Sequence, residues 1–298
     1  MLVEAGHQVA AFDRFSTPVT RYESTSVTAI VGDFLDNALV SRALEGQELV
    51  FHFLSFTTPV SAEGDPSLDI RTNLTQTVSM LRSAALQGVR KIYFASTGGA
   101  IYGPQNKKSF AEDDQTLPVS PYAIVKLSIE HYLRYFKVTF GLDYMVFRIS
   151  NPYGARQKAG KPQGLIPIAL HCLQAGQPVV RFGDGSMVRD FVHADDVTKM
   201  IAKAVTSPAT FDTYNMGHGE GNTVNEVLQI IGNVTQLDFE IAVADIPVTF
   251  VQSSVLNMDR FRSDFGAFDY LSLEAGIGRT WEEMQRSKTL SVDRNVAL

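Results

Sequence analysis

The chain has 298 residues, 45% hydrophobic and 19% charged, with a net charge of −6 and a pI near 5.5. That composition suits one large or two modest globular domains and excludes a basic nucleic-acid surface. The apolar runs are too short to span a bilayer, no charged-then-apolar leader opens the chain, and one cysteine, Cys172, excludes an internal disulfide framework. These features predict a cytoplasmic protein with no membrane or nucleic-acid partner, and the scattered histidines predict no metal site.

Met1 to Gly6 reads as a helix tail with a glycine stop. Gln8 to Asp13 reads as a buried strand ending in a carboxylate, and Thr28 to Val31 as a second strand, followed by Gly32-Asp33-Phe34. Asn37 to Leu44 is a short helix and Glu48 to Leu54 a β-prone run. Pro66 to Gln87 has helical periodicity through Leu68, Ile70, Leu74, Val78, Leu81 and Ala85. Lys91 to Thr97 is a strand punctuated by Gly98-Gly99, Tyr122 to Phe140 a helix, and Leu142 to Ile149 a strand. Strands alternating with helices of this length predict a parallel sheet covered on both faces.

From Ser150 the texture changes to a loop rich in Pro, Gly and Lys that lasts to Gly164. Beyond it come helices at Leu165 to Ala175, Ala194 to Val205, a segment capped at Thr223, and Leu273 to Met284. Short strands are expected at Pro178 to Phe182, Val188 to His193 and Thr213 to Gly217, and a frayed tail after Arg286. Thr223 with Glu226 three residues later forms a capping box. The expected domains are 1–160, with 190–217 returning to it, and 161–298.

One constellation carries chemistry. Ser96 and Thr97 end a buried strand, and ligands of open α/β sheets sit at the carboxyl ends of strands. Ser120-Pro121 opens the next helix, where Tyr122 and Lys126, four apart, share a face. A phenol beside an ammonium loses its proton more readily, as a general base for an alcohol requires.

These residues resemble the extended short-chain dehydrogenase/reductase family, in its NAD-dependent, UDP-glucose 4-epimerase-like nucleotide-sugar branch. The resemblance rests on Phe12-Asp13, Gly32-Asp33-Phe34, His52 to Ser55, Asn73 to Thr77, Ser96 to Gly103, Ser120 to Lys126, Phe147 to Gly154 and Phe182 to His193, in the family's order. It implies an α/β, Rossmann-like doubly wound parallel sheet and a smaller α+β substrate domain. The count back from Asp13 places the family's glycine-rich turn and first strand before Met1.

By resemblance, Asp13 would hold the adenosine ribose of NAD, and Asp33 and Phe34 would flank adenine. Phe53, Leu54 and Ser55 would line the cofactor, with Asn73 nearby. Tyr122 would be the base, Lys126 would hold the nicotinamide ribose, and Thr97 or Ser96 would bond the sugar hydroxyl. Asn151, Leu165, Arg181 and Arg189 would bind the nucleotide diphosphate of a UDP-sugar, for which arginine's fork is suited. Relatives pair through two helices, which implies a homodimer. The implied reaction is 4-epimerisation through a 4-keto sugar. Gly98 and Gly99 stand where dehydratases of the family carry an acid, so epimerisation is preferred to elimination. The alternatives are another nucleotide-sugar oxidoreductase or dehydratase of the family, or a nucleotide-sugar binder without turnover.

Overall fold

A computed structural model describes residues 1–15, 26–157 and 164–296. The chain divides into two compact units. The first holds Met1–Ser96, Pro121–Phe147 and Ile201–Tyr214, and the second Thr97–Ser120, Arg148–Met200 and Asn215–Leu298. The boundary expected at 160/161 lies outside the described residues.

The first unit opens with β1 (Val9–Asp13) and β2 (Val27–Val31), a parallel pair running in register from Val9 on Val27 to Asp13 on Val31. Next comes α1 (Asn37–Leu44), whose start is fixed by the Asp36 carboxylate accepting from the Ala38 and Leu39 amides. β3 (Leu49–His52) pairs in parallel with β4 (Lys91–Thr97). Between them lie α2 (Pro59–Gly64), α3 (Pro66–Asp69), a π turn over Ile70–Leu74, and α4 (Thr75–Leu86). α5 (Pro121–Phe140) and β5 (Asp143–Ile149) follow. β4 is buried on both faces, as a central parallel strand must be. Ile92 and Phe94 enter the core with Leu81, Ile129 and Leu133, while Tyr93 stacks on Phe51 and Phe147.

The helix expected over 66–87 is interrupted. Thr72 donates its hydroxyl to the Leu68 carbonyl, and Thr75 reaches back five residues to the carbonyl of Ile70. These side-chain bonds accompany the extra residue of a π turn.

The second unit contains β6 (Asn151–Tyr153), α6 (Leu165–Ala175), β7 (Val179–Phe182), β8 (Val188–Arg189), β9 (Phe191–His193) and the start of α7 (Ala194–Thr206). β10 (Thr213–Met216) belongs with β5, β4 and β3, in the order β10-β5-β4-β3. Then come β11 (Asn222–Thr223), α8 (Val224–Thr235), β12 (Ile241–Ala244), β13 (Ser253–Ser254), α9 (Asp259–Phe265) and α10 (Leu273–Val296). The Thr223/Glu226 capping box forms in full. The strand expected over 188–193 breaks at Asp190, and the last helix continues past Arg286, where a frayed tail was expected. The core of this unit joins Ile166, Leu170, Val227, Ile231 and Ile277. Among the described residues no helix is long and apolar enough to cross a membrane.

Candidate active site

Pro121 opens α5 and presets the first turn, so Tyr122 and Lys126 share one face. Lys126 is 5% exposed. Its ammonium donates to the Ala95 carbonyl of β4 at 2.8 Å and lies 4.7 Å from the Phe94 ring centroid and 5.7 Å from that of Tyr122. Burial draws the Lys126 pKa down to about 8, against the opposing pull of the Asp69 and Glu130 charges.

The phenol departs from the sequence expectation. Burial, and then the Asp69 charge, push the Tyr122 pKa up to about 12. The ammonium that was to acidify it is engaged with the Ala95 carbonyl and the Phe94 ring. At neutral pH Tyr122 is therefore a neutral hydroxyl.

The two hydroxyls ending β4 have different surroundings. Ser96 donates to the Glu130 carboxylate at 2.5 Å, and both side chains are buried. Thr97, also buried, is the first residue of the second unit. Just beyond it the Gly98 amide donates to the Ile149 carbonyl at 2.6 Å. A Cβ on Gly98 would fall 2.5 Å from a Leu256 methyl and 2.8 Å from the Arg148 carbonyl oxygen, so this position excludes any side chain.

The residues expected around the cofactor lie near the carboxyl ends of the parallel strands of the first unit. Asp13 ends β1 with an exposed carboxylate whose hydrogen bond comes from the Phe15 amide at 3.4 Å. Asp33, just past β2, accepts from the Leu35 amide and pairs with Arg14, which together hold its pKa below the usual carboxylate range. Phe34 is in the core, its ring stacked on His52 at 5.2 Å, so only its backbone is available to a ligand. Phe53 is exposed, Leu54 packs against the core, and Ser55 donates to the Thr57 carbonyl. Asn73 is committed internally. Its oxygen accepts from the Phe56 amide at 3.0 Å, and its nitrogen donates to Thr57 Oγ1 at 2.9 Å and Asp69 Oδ1 at 2.5 Å.

In the second unit Asn151 donates to the Asp190 carbonyl at 3.0 Å, and Leu165 opens α6. Arg181 reaches the Asn225 amide oxygen at 3.1 Å. Arg189 is satisfied by the carbonyls of Val188 and Gln252 and has no ion pair among the described residues. Burial alone lowers its pKa to about 10. A desolvated guanidinium without a counter-charge suits an anion.

The profile of the NAD dependent epimerase/dehydratase family matches residues 1–217. The chain belongs to that family. It is similar to UDP-glucose 4-epimerase of Mycolicibacterium smegmatis, 28% identical over 287 residues, covering 94% of this chain and 92% of the relative. Among solved structures, UDP-glucose 4-epimerase of Thermotoga maritima with UDP-glucose superposes with a TM-score of 0.88 at 31% identity, covering 96% and 93% of the two chains. The Thermus thermophilus UDP-glucose 4-epimerase complex with NAD gives 0.87 at 30% identity, covering 95% and 93%.

The cofactor of this family is NAD. The residues present fit its nucleoside parts: an exposed carboxylate at Asp13 suits a ribose diol, and the Lys126 ammonium, with three donors and one hydrogen bond among the described residues, suits another. Sequence reasoning missed Asp69 and Glu130. Both stand four residues from a residue it did select, Asn73 and Lys126, and that helical spacing was the available signal.

Proposed function

We propose that the chain catalyses the NAD-dependent 4-epimerisation of a UDP-sugar of the UDP-glucose/UDP-galactose type. One observation carries this reading: Tyr122 and Lys126 sit together on α5, with the Lys126 ammonium bonded to the end of β4. Bound NAD would supply the hydride acceptor and donor for the sugar. The residues of the chain do the rest. Tyr122 takes the proton of the 4-hydroxyl and gives it back, and Lys126 donates to the nicotinamide ribose. Thr97 holds the sugar hydroxyl, since the proton of Ser96 is already given to Glu130. Asn151, Leu165, Arg181 and Arg189 contact the nucleotide, with Arg189 on the diphosphate. Asp13 and Asp33 serve the adenosine end, with the backbone of Phe34 and the loop Phe53–Ser55 beside it.

Gly98 supports epimerisation over elimination, because its backbone approaches leave no room for an acid there. A homodimer through the exposed α5 face bearing Ile124, Tyr135 and Val138 belongs to the same reading, as does a cytoplasmic location. Replacing Tyr122 by Phe removes the proton acceptor and is expected to lower kcat for UDP-galactose conversion by about 10³-fold or more. A Tyr122→Phe protein that interconverts the two sugars at the parental rate overturns the assignment.

A second reading, a non-catalytic nucleotide-sugar binder that holds no dinucleotide, is favoured by one feature: no Gly-x-x-Gly-x-x-Gly occurs in the 298 residues. Micromolar NAD binding by calorimetry rules it out.

A further inference from the structure

Asp69 is the last residue of α3, directly before the π turn, and is 1% exposed. A lone buried carboxylate is expensive and calls for partners. Its Oδ1 has two: the Thr57 hydroxyl at 2.9 Å and the Asn73 amide at 2.5 Å. Asn73 in turn accepts from the Phe56 amide, so the cluster holds the stretch that follows Phe53–Ser55. The other oxygen, Oδ2, is buried and has no hydrogen-bond partner among the described residues. α3 and the π turn both pack against α5, and the Asp69 charge acts on both Tyr122 and Lys126. One carboxylate therefore joins the loop after β3 to the two side chains expected to do the chemistry.

We propose that Asp69 is a positioning residue, which clamps the loop after β3 through Thr57 and Asn73 and supplies the fixed buried negative charge facing Lys126 and Tyr122. The inference deepens the reading given above, and its chemistry is confined to the first unit. With Asp69 ionised, the Lys126 ammonium is stabilised and the Tyr122 phenol is kept protonated until a ligand changes the charge balance. The other groups around the pair are Glu130 on α5, which also favours the ammonium, and His52 on β3, held neutral by burial. Glu63 and Arg71, from the segments flanking α3, are exposed, and Asp65, half-buried, pairs with Arg71.

The test needs neither cofactor nor substrate. Lysine labelled with ¹³C at the ε position reports the pH midpoint of Lys126 by NMR, assigned with a Lys126→Met protein. In Asp69→Asn, nearly isosteric, the midpoint is expected to fall by about one pH unit. In Thr57→Val, which loosens the clamp and keeps the charge, it should stay near the parental value. Circular dichroism and a cooperative thermal transition establish that each variant is folded. A folded Asp69→Asn protein whose Lys126 midpoint does not move overturns the proposal. So does a Thr57→Val protein whose midpoint moves as far. Should Asp69→Asn not fold, Asp69→Glu replaces it: the longer arm keeps the charge and breaks the clamp geometry, and a midpoint that collapses despite the retained charge overturns the electrostatic part. Since the readout is a lysine titration, loss of epimerase activity and loss of this coupling are separate results.

Discussion

The two units bury a carboxylate in opposite ways. In the second, Asp190 is fully buried and its oxygens accept from the amides of His218, Gly219 and Leu256, with Ser150 Oγ nearby at 3.3 Å. In the first, Asp69 is just as deep but, among the described residues, is answered by two side chains on one oxygen and by none on the other. Backbone donors cannot be moved by a change of rotamer, so Asp190 acts as a fixed post tying three chain segments together. Side-chain donors leave charge in reserve, and that reserve acts on Lys126 and Tyr122. A carboxylate satisfied by backbone serves the fold, whereas one left partly unsatisfied beside titratable neighbours is placed to act on their chemistry.

The sharpest way to break this contrast is Asp190→Ala. It strands one buried and two half-buried amides and is expected to cost about 4 kcal/mol of unfolding free energy by urea titration, since each orphaned donor costs about 1–3 kcal/mol. If that cost is below about 1 kcal/mol, Asp190 is not the post described.

A smaller effect belongs to His52, stacked between Phe34 and Phe94 and bonded to Thr77 Oγ1 at 2.8 Å. Burial first, and Lys126 second, lower its pKa to about 3. The unfolded chain then binds the proton more readily than the folded one, so stability is lost as pH falls from about 6.5 toward about 3. Between pH 7 and pH 5 this group should remove about 2 kcal/mol. A His52→Phe protein should lose that slope, and an unchanged difference between the two pH values refutes it.

The smallest effect separates neighbours. Ser96→Ala removes a buried bond to Glu130 and should cost about 1–2 kcal/mol of stability. Because Thr97, and not Ser96, is assigned to the sugar, Ser96→Ala should keep kcat within about threefold under conditions where it is folded. A hundredfold loss of kcat with stability intact would exchange the two roles.

Much of this was legible in the residues, because strong periodicity and punctuation mark long elements. Lys91 to Thr97, with alternating sides that are both apolar, reads as a central strand and is one. Thr223 and Glu226 announce a helix start that forms as written. The π turn was not legible. Ile70, Leu74, Val78 and Leu81 share one helical face on paper, yet Ile70 is exposed while Leu81 is fully buried. A single added residue shifts the register without disturbing the apolar count. The lowered acidity of Tyr122 was equally hidden, since spacing places a phenol and an ammonium on one face but says nothing of the carbonyl that captures the ammonium or of Asp69, a carboxylate on a different helix far away in the sequence. The short strands β11, β12 and β13 were missed because two to four residues carry too little pattern.

The π turn also makes the length of this segment consequential. A chain one residue shorter between 70 and 74 could run from Pro66 to Leu86 as uninterrupted α-helix, gaining regular hydrogen bonds. Everything before the deletion would then rotate by about 100° about the helix axis. Asp69 would swing out of its buried seat, and the apolar side chains of Leu68 and Ile70 would turn with it. Descendants of this sequence can exchange residues along that stretch more safely than they can lose one.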